Sequence, residues 1–387
     1  MPILNRAVEL QAEVAGWRQH LHQHPEIGYE VHETAAFVAA KLKEFGVDEI
    51  VTGIGRTGVV GLICGGKGAG PTIGLRSDMD ALPMSEETGL EYASINAGKM
   101  HACGHDGHMA MLLGAAKYLS ETRNFKGCVA VIFQPAEEDG AGGEAMVKDG
   151  LMERFNITEV YGMHTNPGLP IGEFATRVGP IMGATDEFVL TIKGQGGHAA
   201  YPHNAIDPIV IGAQLIGMLQ TIGSRNVDPM EAVVLTVTQF NAVTALNIIP
   251  DVATLAGTIR TLSHDVRAVA VKRLHTICDG VALAHGISID VHHMPGYPVT
   301  VNNDDETTHI IEAASSVVGV KAVDGNMPAS LGAEDFSYMA MARPAAFMFI
   351  GNGETADVHH PKFNFDDEAI PFGVSYWASL VQHRLGD

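Results

Sequence analysis

Acidic residues and a histidine follow the ends of three short apolar runs. The runs and the polar residues after them are Thr72–Leu75 with Asp78 and Asp80, Cys128–Phe133 with Glu137 and Glu138, and Glu159–Met163 with His164. Short apolar runs bounded by Gly, Pro or charged residues are typical of strands. Ligands of helix-covered sheets bind beyond the carboxyl ends of the strands. We therefore expect these carboxylates and this imidazole to meet at one edge of a sheet.

Two loops supply further groups that can bind a metal. Cys103 and His105 stand two residues apart just before a helical pattern, so a thiolate and an imidazole can hold one ion from a single loop. His359 and His360 lie in a late loop that can close over the same edge. The candidate ligands are Cys103, His105, Glu138, His164 and His359. Five ligands exceed the need of one tetrahedral ion and indicate two ions that share a ligand.

Each of these groups has an ordinary structural explanation when it is taken alone. A lone Cys103 is typical of a small buried apolar residue. The pair Glu137 and Glu138 is compatible with a solvated helix start, and His164 with a hydrogen-bonded core histidine. Independent features have no reason to fall at successive strand ends, so their joint placement favours a metal site.

The adjacent Glu137 and Glu138 favour two different roles. A carboxylate that is not a ligand can take the proton of a metal-activated water, whose pKa falls towards about 7. We assign Glu138 to the metal and Glu137 to the proton, which Glu137 would then return to the leaving amine. Asp78 or Asp80 would orient the site from outside the ligand set, and the Asp-x-Asp doublet leaves both open.

The elements around these residues predict an α/β fold. Helical patterns separate several of the strands, which predicts a mixed sheet covered by helices on its faces. From about Ala184 the pattern changes to alternating strands with two helices, which predicts a smaller α+β module inserted into the first domain. After Pro298 the first pattern returns. The predicted domains are residues 1–183 with 298–387, and the inserted residues 184–297.

The charge and the cysteines exclude some classes of partner and site. The 387 residues carry 24 Lys and Arg against 45 Asp and Glu, a formal net charge of -21, and such a surface repels phosphate backbones and anionic lipids. We therefore expect neither a nucleic-acid nor a membrane partner. The four cysteines form no CxxC pair, so we expect neither a disulfide framework nor a zinc ribbon. A cytoplasmic location fits this pattern and the lack of a leader-like or membrane-spanning apolar run.

Seven motifs, in order along essentially the whole chain, resemble the M20 family of metal-dependent amidohydrolases and peptidases. They are WRQHLHQHPEIGYEVHET, LRSDMDALP, MHACGHDGHMA, FQPAEE, GMHTNP, GQGGHAAYPH and VHHPKFNFDDEAIP. MHACGHD followed at this distance by QPAEE is the most specific signal. The chain resembles in particular the subgroup of hippurate hydrolases and N-acyl-amino-acid deacylases, which includes bacterial aminoacylases.

The resemblance implies a catalytic domain with two divalent metal ions and an inserted lid domain that mediates dimerisation, in a homodimer or homotetramer. It implies the five candidate ligands named above, with Cys103 as the bridge where the wider family has an aspartate. His359 is preferred to His360 because the loop of the subgroup reads His-x-Pro. The thiolate leaves zinc, cobalt or nickel open, while carboxylate and imidazole also suit manganese.

The inserted module contributes three further residues by resemblance. The family equivalent of His198 reaches the active site of the neighbouring subunit, where a donor can stabilise a developing oxyanion. Arg260 ends an alternating strand, and its planar fork can pair with a substrate carboxylate. Asn247 is a second candidate for that polar role. The ordinary explanation of His198 is a turn histidine, and without the resemblance Arg260 would be an ordinary edge-strand arginine.

We expect metal-dependent hydrolysis of N-acyl-L-amino acids, including hippurate-like substrates, to a carboxylic acid and an amino acid. A dipeptidase or aminopeptidase of the same family would break the same kind of bond. A rival hypothesis is a hydrolase with Cys103 as nucleophile and His105 or His164 as base. A non-catalytic metal-binding scaffold is a third possibility, and the general base Glu137 argues against it.

Overall fold

The computed structural model of the protein describes residues 3–386. Its helices are α1 Asn5–Gln23, α2 His32–Glu44, α3 His105–Thr122, α4 Gly142–Lys148, α5 Leu151–Arg154, α6 Pro208–Leu219, α7 His264–His285, α8 Asp304–Val318, α9 Phe336–Ala342 and α10 Ile370–Leu385. Its strands are β1 Glu49–Ile54, β2 Gly58–Cys64, β3 Thr72–Asp78, β4 Cys128–Gln134, β5 Ile157–Asn166, β6 Phe174–Ala175, β7 Gly179–Met182, β8 Ala184–Lys193, β9 Gly197–His198, β10 Val233–Asn241, β11 Ile248–Ile249, β12 Val252–Thr261, β13 Ser288–Pro295, β14 Thr300–Asn302, β15 Val323–Asp324 and β16 Ala345–Gly351.

These elements belong to two compact units. Unit 1 contains the residues up to Ile181, Val301–Pro328 and the residues from Asp335 onward. Unit 2 contains Met182–Thr300 and Ala329–Glu334.

Unit 1 is built on an eight-stranded mixed sheet with the order β1-β2-β4-β3-β5-β16-β6-β15. The central strands β4, β3, β5 and β16 run parallel to one another. On one side β2 pairs antiparallel with β4, and on the other β6 pairs antiparallel with β16. Parallel neighbours end at the same edge, so the carboxyl ends of the four central strands lie together. The predicted helix-covered mixed sheet is confirmed.

Helix α3 fixes one side of that edge. It contacts β3, β4 and β5 of the sheet and also packs against α1 and α10. Thirteen of its 18 residues are buried as a consequence, including the whole first turn from His105 to His108. The side chains at the start of α3 are therefore held between the helix and the strand ends.

Two parts of unit 1 do not follow the local sequence pattern. The apolar pattern over residues 143–155 predicts one helix, but α4 ends at Lys148 and α5 begins at Leu151. Gly150 between them has φ +85°, a left-handed conformation that stops a helix. The sequence does not predict β1, whose register is interrupted by a bulge between Thr52 and Ile54.

Unit 2 has an antiparallel sheet with the order β10-β12-β8-β13, covered by α6 and α7. Burial alternates along β8 and β12, so one face of the sheet packs on the helices and the other does not. The buried face includes Phe188, Leu190 and Leu255, which pack with Leu215 of α6 and Leu274 of α7. The predicted α+β character of this module is confirmed.

Cys64 and Cys128 are joined by a disulfide across the antiparallel pair β2 and β4. Their Cα atoms lie 4.1 Å apart because the strand register places the two residues opposite each other. Their separation of 64 residues gives no hint of this, and the bond corrects the expectation drawn from the cysteine spacing. The cytoplasmic location stays a prediction. Within residues 3–386, the helices are all too short or too polar to cross a membrane.

Candidate metal centre

The predicted site residues of unit 1 meet at the carboxyl edge of its sheet. Asp78 is the last residue of β3, Glu137 and Glu138 follow β4, and His164 lies near the end of β5. Cys103 and His105 stand at the start of α3, and His359 lies in the loop after β16. Four parallel strands and one helix start therefore bring the candidate ligands together.

A glycine allows the loop before α3 to approach the end of β5. Gly104 has φ +85°, and a Cβ at this position would lie 2.6 Å from Cγ2 of Thr165. A residue with a side chain would be strained and would also push against the neighbour of His164. The close packing of Cys103 and His105 on His164 depends on this glycine.

We name five residues the candidate ligand cluster: Cys103, His105, Glu138, His164 and His359. The ligand atoms of Cys103, His105 and His164 lie within 4.8 Å of one another, and so do those of Cys103, Glu138 and His359. Cys103 belongs to both groups. A site for two ions would draw on both groups, with the Cys103 sulfur available to either.

Hydrogen bonds fix which ring nitrogen of each buried histidine faces the cluster. Nδ1 of His105 donates to the carbonyl of Asp80 at 2.7 Å, and Nδ1 of His164 donates to the carbonyl of Thr165 at 2.6 Å. The Nε2 lone pairs of both rings are then directed at the cluster, and Nε2 of His164 lies 3.3 Å from Sγ of Cys103. A neutral imidazole with one nitrogen anchored in this way is the usual form of a metal-ligating histidine.

The cluster contains buried polar atoms that fit a bound cation. Nε2 of His105 and Oε1 of Glu138 are buried and have no hydrogen-bond partner among the described residues. The two atoms lie 3.9 Å apart, which is too far for a hydrogen bond between them. Two atoms about 2.1 Å from a tetrahedral ion lie about 3.4 Å from each other. Three separations within the cluster are 3.3, 3.4 and 3.9 Å. Thiol, imidazole and carboxylate are also the donor types that zinc and similar ions take.

The structure separates His359 from His360. Nε2 of His359 lies 3.4 Å from Oε1 of Glu138, whereas Nδ1 of His360 accepts the backbone N–H of Lys362. His359 has φ +64°, a conformation that costs of order 1–3 kcal/mol for a residue with a side chain and occurs at functional sites. Its own N–H donates to the carbonyl of Ala102 at 2.7 Å, which ties the late loop to the loop of Cys103.

Asp80 holds the backbone of the two glutamates. Its two carboxylate oxygens accept the N–H groups of Glu137 at 2.9 Å and of Glu138 at 3.1 Å. Its carbonyl accepts the proton on Nδ1 of His105. Asp80 therefore orients three candidate site residues without pointing its own carboxylate at the ligand atoms.

Asp78 has different partners. Its carboxylate accepts Nδ1–H of His108 at 2.7 Å and an N–H of Arg76 at 2.9 Å, and it lies 3.8 Å from Nε2 of His105. Burial disfavours this charge, but His105, His108 and Arg76 hold the pKa of Asp78 well below its ordinary value. Asp78 is thus a charged support beside the ligands.

Three residues that the sequence does not single out complete a network with Asp78 and His108. Arg76 donates to Gln134 at 2.9 Å and to Asp335 at 3.1 Å, and Gln134 donates to both oxygens of Asp335 at 2.7 and 2.8 Å. We name this network the support cluster: Arg76, Asp78, His108, Gln134 and Asp335. The sequence feature that could have indicated this network is Arg76, which lies between an apolar run and the Asp-x-Asp doublet.

His108 is excluded from the ligands by its partners. Its Nδ1 donates to Asp78, and its Nε2 accepts the backbone N–H of Thr165 at 2.8 Å. Both ring nitrogens are therefore used inside the protein, although His108 lies as close to His105 and Asp78 as a ligand would.

The electrostatics of the cluster favour a cation. Burial lowers the pKa of His105, but the carboxylates of Asp78, Asp80 and Glu138 outweigh this effect and raise it to about 10. Burial and the nearby Glu138 carboxylate raise the pKa of the Cys103 thiol well above its ordinary value. Positive charge is stabilised between these groups, and a bound divalent ion would supply it.

The remaining predicted residues lie in unit 2. His198 is exposed in β9, which pairs with β11, and Asn247 is exposed just before β11. Nδ1 of His198 accepts the N–H of Ala200 at 3.1 Å, so the neutral ring carries its proton on Nε2. Arg260 is half-buried near the end of β12.

Comparisons with known proteins identify the family of this chain. The model of peptidase family M20/M25/M40 matches residues 74–383. A hippurate hydrolase from Campylobacter jejuni is 40% identical over 385 residues, which cover 100% of both chains. The chain belongs to peptidase family M20/M25/M40. An N-acetyl-L-cysteine deacetylase from Bacillus subtilis is 41% identical over 379 residues, 98% of this chain and 89% of that protein.

A solved structure of an M20 protein has the same fold. The YXEP protein of Bacillus subtilis, described as a dinuclear metal binding peptidase of the M20 family, aligns with a TM-score of 0.85 and 33% identity. The alignment covers 97% of this chain and 98% of that one. The present chain, as a member of the M20 family, is a metal-binding amidohydrolase.

Proposed function

We propose that the protein hydrolyses the amide bond of N-acyl-L-amino acids, with two divalent metal ions held by the candidate ligand cluster. The observation that carries the proposal is the set of inward lone pairs on His105, His164 and Glu138 beside the carboxylate of Glu137, an oxygen of which lies within 4.8 Å of ligand atoms of His105 and Glu138. Two relatives are named for the deacylation of N-acyl amino acids, which supports this substrate class. Hippurate-like substrates are the first to test, and zinc, manganese, cobalt and nickel are the ions.

Glu137 is the proposed general base. Bound divalent ions supply Lewis acidity to an amide carbonyl and lower the pKa of water at the site. Glu137 would take a proton from the attacking water and return it to the nitrogen of the leaving amine. The bonds from Asp80 to the backbone of Glu137 and Glu138 hold the base beside the ligands.

Unit 2 supplies the proposed groups that recognise the substrate. His198 presents Nε2–H as a donor that can stabilise an oxyanion, and Arg260 and Asn247 are candidates for binding the substrate carboxylate. We propose that unit 2 is the inserted lid and dimerisation domain and that His198 serves the neighbouring subunit. Exposed apolar side chains on α6, such as Val210 at 54% and Met218 at 44%, support a protein contact there.

A cysteine hydrolase is the rival with a specific observation in its favour, the 3.3 Å contact between Cys103 and His164. Burial raises the pKa of this thiol, and burial lowers the pKa of His164 far below its ordinary value. The pair would therefore stay neutral, whereas a nucleophilic cysteine needs its thiolate beside a protonated base. A metal ion would stabilise that thiolate instead.

A substrate panel with and without chelator tests the proposal. Benzoylglycine, acetylated and longer-chain acyl amino acids, and simple dipeptides are compared at equal concentration, each before and after complete metal removal. We expect faster hydrolysis of acyl amino acids than of dipeptides, complete loss after metal removal and recovery on adding back a divalent ion. Preference for dipeptides would favour the peptidase alternative, and full activity without metal would favour the cysteine hydrolase.

A further inference from the structure

The segment of residues 135–141, between β4 and α4, carries Glu137 and Glu138, and we name it the glutamate loop. Ala136 has φ +53°, Ala141 has φ +54° and Gly140 has φ +145°. Left-handed backbone is disfavoured for residues with a side chain. The loop cannot owe this shape to its own preferences, so contacts from outside must impose it.

Three parts of unit 1 contact the middle of the glutamate loop. Asp80 accepts the two glutamate N–H groups, the carbonyl of Gly28 accepts the N–H of Ala136, and the hydroxyl of Tyr29 donates to the carbonyl of Gly140. These bonds set the direction of individual peptide groups. None of them holds the points where the loop leaves β4 and enters α4.

Asp335 holds both of those points. Nε2 of Gln134, the last residue of β4, donates to its carboxylate at 2.7 and 2.8 Å. The N–H of Gly143, in the first turn of α4, donates to the same carboxylate at 2.7 Å. A Cβ on Gly143 would lie 2.7 Å from the carbonyl oxygen of Asp335, so the helix start can approach this closely because position 143 is a glycine.

The same carboxylate ties the loop to β3. Asp335 is fully buried and pairs with Arg76, which also donates to Asp78. Asp78 in turn binds His108, and His108 accepts the N–H of Thr165 next to His164. One chain of buried hydrogen bonds therefore runs from α4 through β4, β3 and α3 to β5.

We propose that Asp335 is a positioning residue for Glu137 and Glu138, which it places by clamping both ends of the glutamate loop. This inference rests on the proposed roles of the two glutamates as base and ligand. A carboxylate oxygen of Asp335 lies within 4.8 Å of a carboxylate oxygen of Glu137. Among the described residues, Asp335 shares no set of ligand atoms this close together with a member of the candidate ligand cluster. Its loss should therefore lower kcat and metal affinity through the glutamate loop and leave KM nearly unchanged.

The test compares Asp335→Asn with Glu159→Gln. In Asp335→Asn, the new amide group points donors at Gln134 and at either Gly143 or Arg76, so the clamp opens on one side. We expect kcat on benzoylglycine to fall about tenfold, KM to change less than about twofold, and Co²⁺ affinity of the metal-free protein to fall about tenfold. The Co²⁺ titration is followed by visible absorption and needs no substrate.

Glu159→Gln is the matched control. Glu159 is also a buried carboxylate paired with an arginine, Arg384, but it lies at the opposite end of β5 from His164. We expect a lower unfolding temperature with kcat and Co²⁺ affinity unchanged. Asp335→Asn behaving like Glu159→Gln would overturn the inference.

A second substitution should restore part of the clamp. In Asp335→Asn with Gln134→Glu, the new carboxylate accepts from Arg76 and from the new amide, which removes the facing donors. Recovery of at least threefold in Co²⁺ affinity supports the inference, and no recovery contradicts it. If Asp335→Asn does not fold, Gln134→Met is tested instead, because it removes one arm of the clamp. We expect the Co²⁺ affinity of Gln134→Met to fall about threefold, and an unchanged affinity would overturn the inference.

The two readouts separate this inference from the proposed function. An unvaried protein that binds Co²⁺ but hydrolyses no acyl amino acid refutes the proposed function, and the Co²⁺ titrations of the variants still decide the role of Asp335. Active unvaried protein with unchanged Asp335→Asn refutes the inference alone.

Discussion

The candidate ligand cluster and the support cluster lie side by side at one sheet edge, yet they use the same kinds of side chain in opposite ways. His105 and His108 share the first turn of α3 and are both buried. His108 has both ring nitrogens hydrogen-bonded, whereas Nε2 of His105 has no partner among the described residues. Both oxygens of Asp78 and of Asp335 accept hydrogen bonds, whereas Oε1 of Glu138 accepts none from residues 3–386, although Nε2 of His359 lies 3.4 Å away.

The difference shows where a cation belongs. An unpaired buried polar group costs about 1–3 kcal/mol, and bound water or an ion commonly compensates such a group. In the support cluster the guanidinium of Arg76 balances the charges of the Asp78 and Asp335 carboxylates. In the ligand cluster bound cations would supply the compensation.

Among variants that keep their metal ions, the largest effect on turnover is expected from Glu137→Gln. This change removes the proposed base but none of the candidate ligands, so kcat on an acyl amino acid should fall by about 10² or more while the metal content stays the same. Metal analysis and steady-state kinetics on the same preparation provide the measurement. Glu144→Gln on α4, at an exposed ion pair with Lys148, is the control and should be unaffected. Normal turnover in Glu137→Gln would remove this residue from the mechanism.

The sharpest contrast between the clusters comes from His105→Ala beside His108→Ala. Loss of His105 removes a ligand, so at least one metal ion should no longer bind at micromolar concentration. Loss of His108 leaves the N–H of Thr165 and one oxygen of Asp78 unpaired, which should lower the free energy of unfolding by about 1–3 kcal/mol and metal affinity by about tenfold. Calorimetric metal titration and urea unfolding distinguish the two. Equal metal loss in both variants would mean that the clusters do not differ as described.

The smallest effect on turnover is expected from His22→Gln. Nδ1 of His22 lies 2.8 Å from Asp106, and its Nε2 lies 3.3 Å from Glu86. Burial lowers its pKa, but Asp106 and Glu86 raise it to about 9. Since the folded pKa lies above the unfolded value of about 6.5, the charged ring stabilises the fold below pH 6.5, and this contribution is lost as the pH rises through 9.

Urea unfolding of the metal-free protein at pH 6.5 and 9.5 measures that contribution. The unvaried protein should lose more stability over this interval than His22→Gln, while kcat of the two at pH 7 should agree within about twofold. The same pH dependence in both proteins would rule out His22 as its source.

The sequence predicts Cys103, His105, Glu138 and His164 because these residues lie at or next to the ends of elements that can be recognised locally. Strand ends are visible in the apolar runs before Asp78, Glu137 and His164, and parallel strands end at one edge. The choice between His359 and His360 came from resemblance, and the turn bond of His360 is a contact that no pattern reveals.

The support cluster is hidden from the sequence for a physical reason. Asp335 and Gln134 are 201 residues apart and meet because β16 brings the late part of unit 1 beside β5. Asp335 directly precedes α9, where an acidic residue is ordinary, and the partner of His108 Nε2 is a backbone N–H. The disulfide between Cys64 and Cys128 likewise depends on strand register and not on local pattern.

Metal titration of the chelated protein tests the central claim most directly. Metal-free protein is titrated with Zn²⁺, Mn²⁺, Co²⁺ or Ni²⁺, and bound metal and the hydrolysis of benzoylglycine are measured on the same samples. The ligand cluster predicts no activity without metal, binding of two ions per chain, and activity that rises with their binding. Activity in the metal-free protein, or full activity with no ion bound to the cluster, would contradict the account.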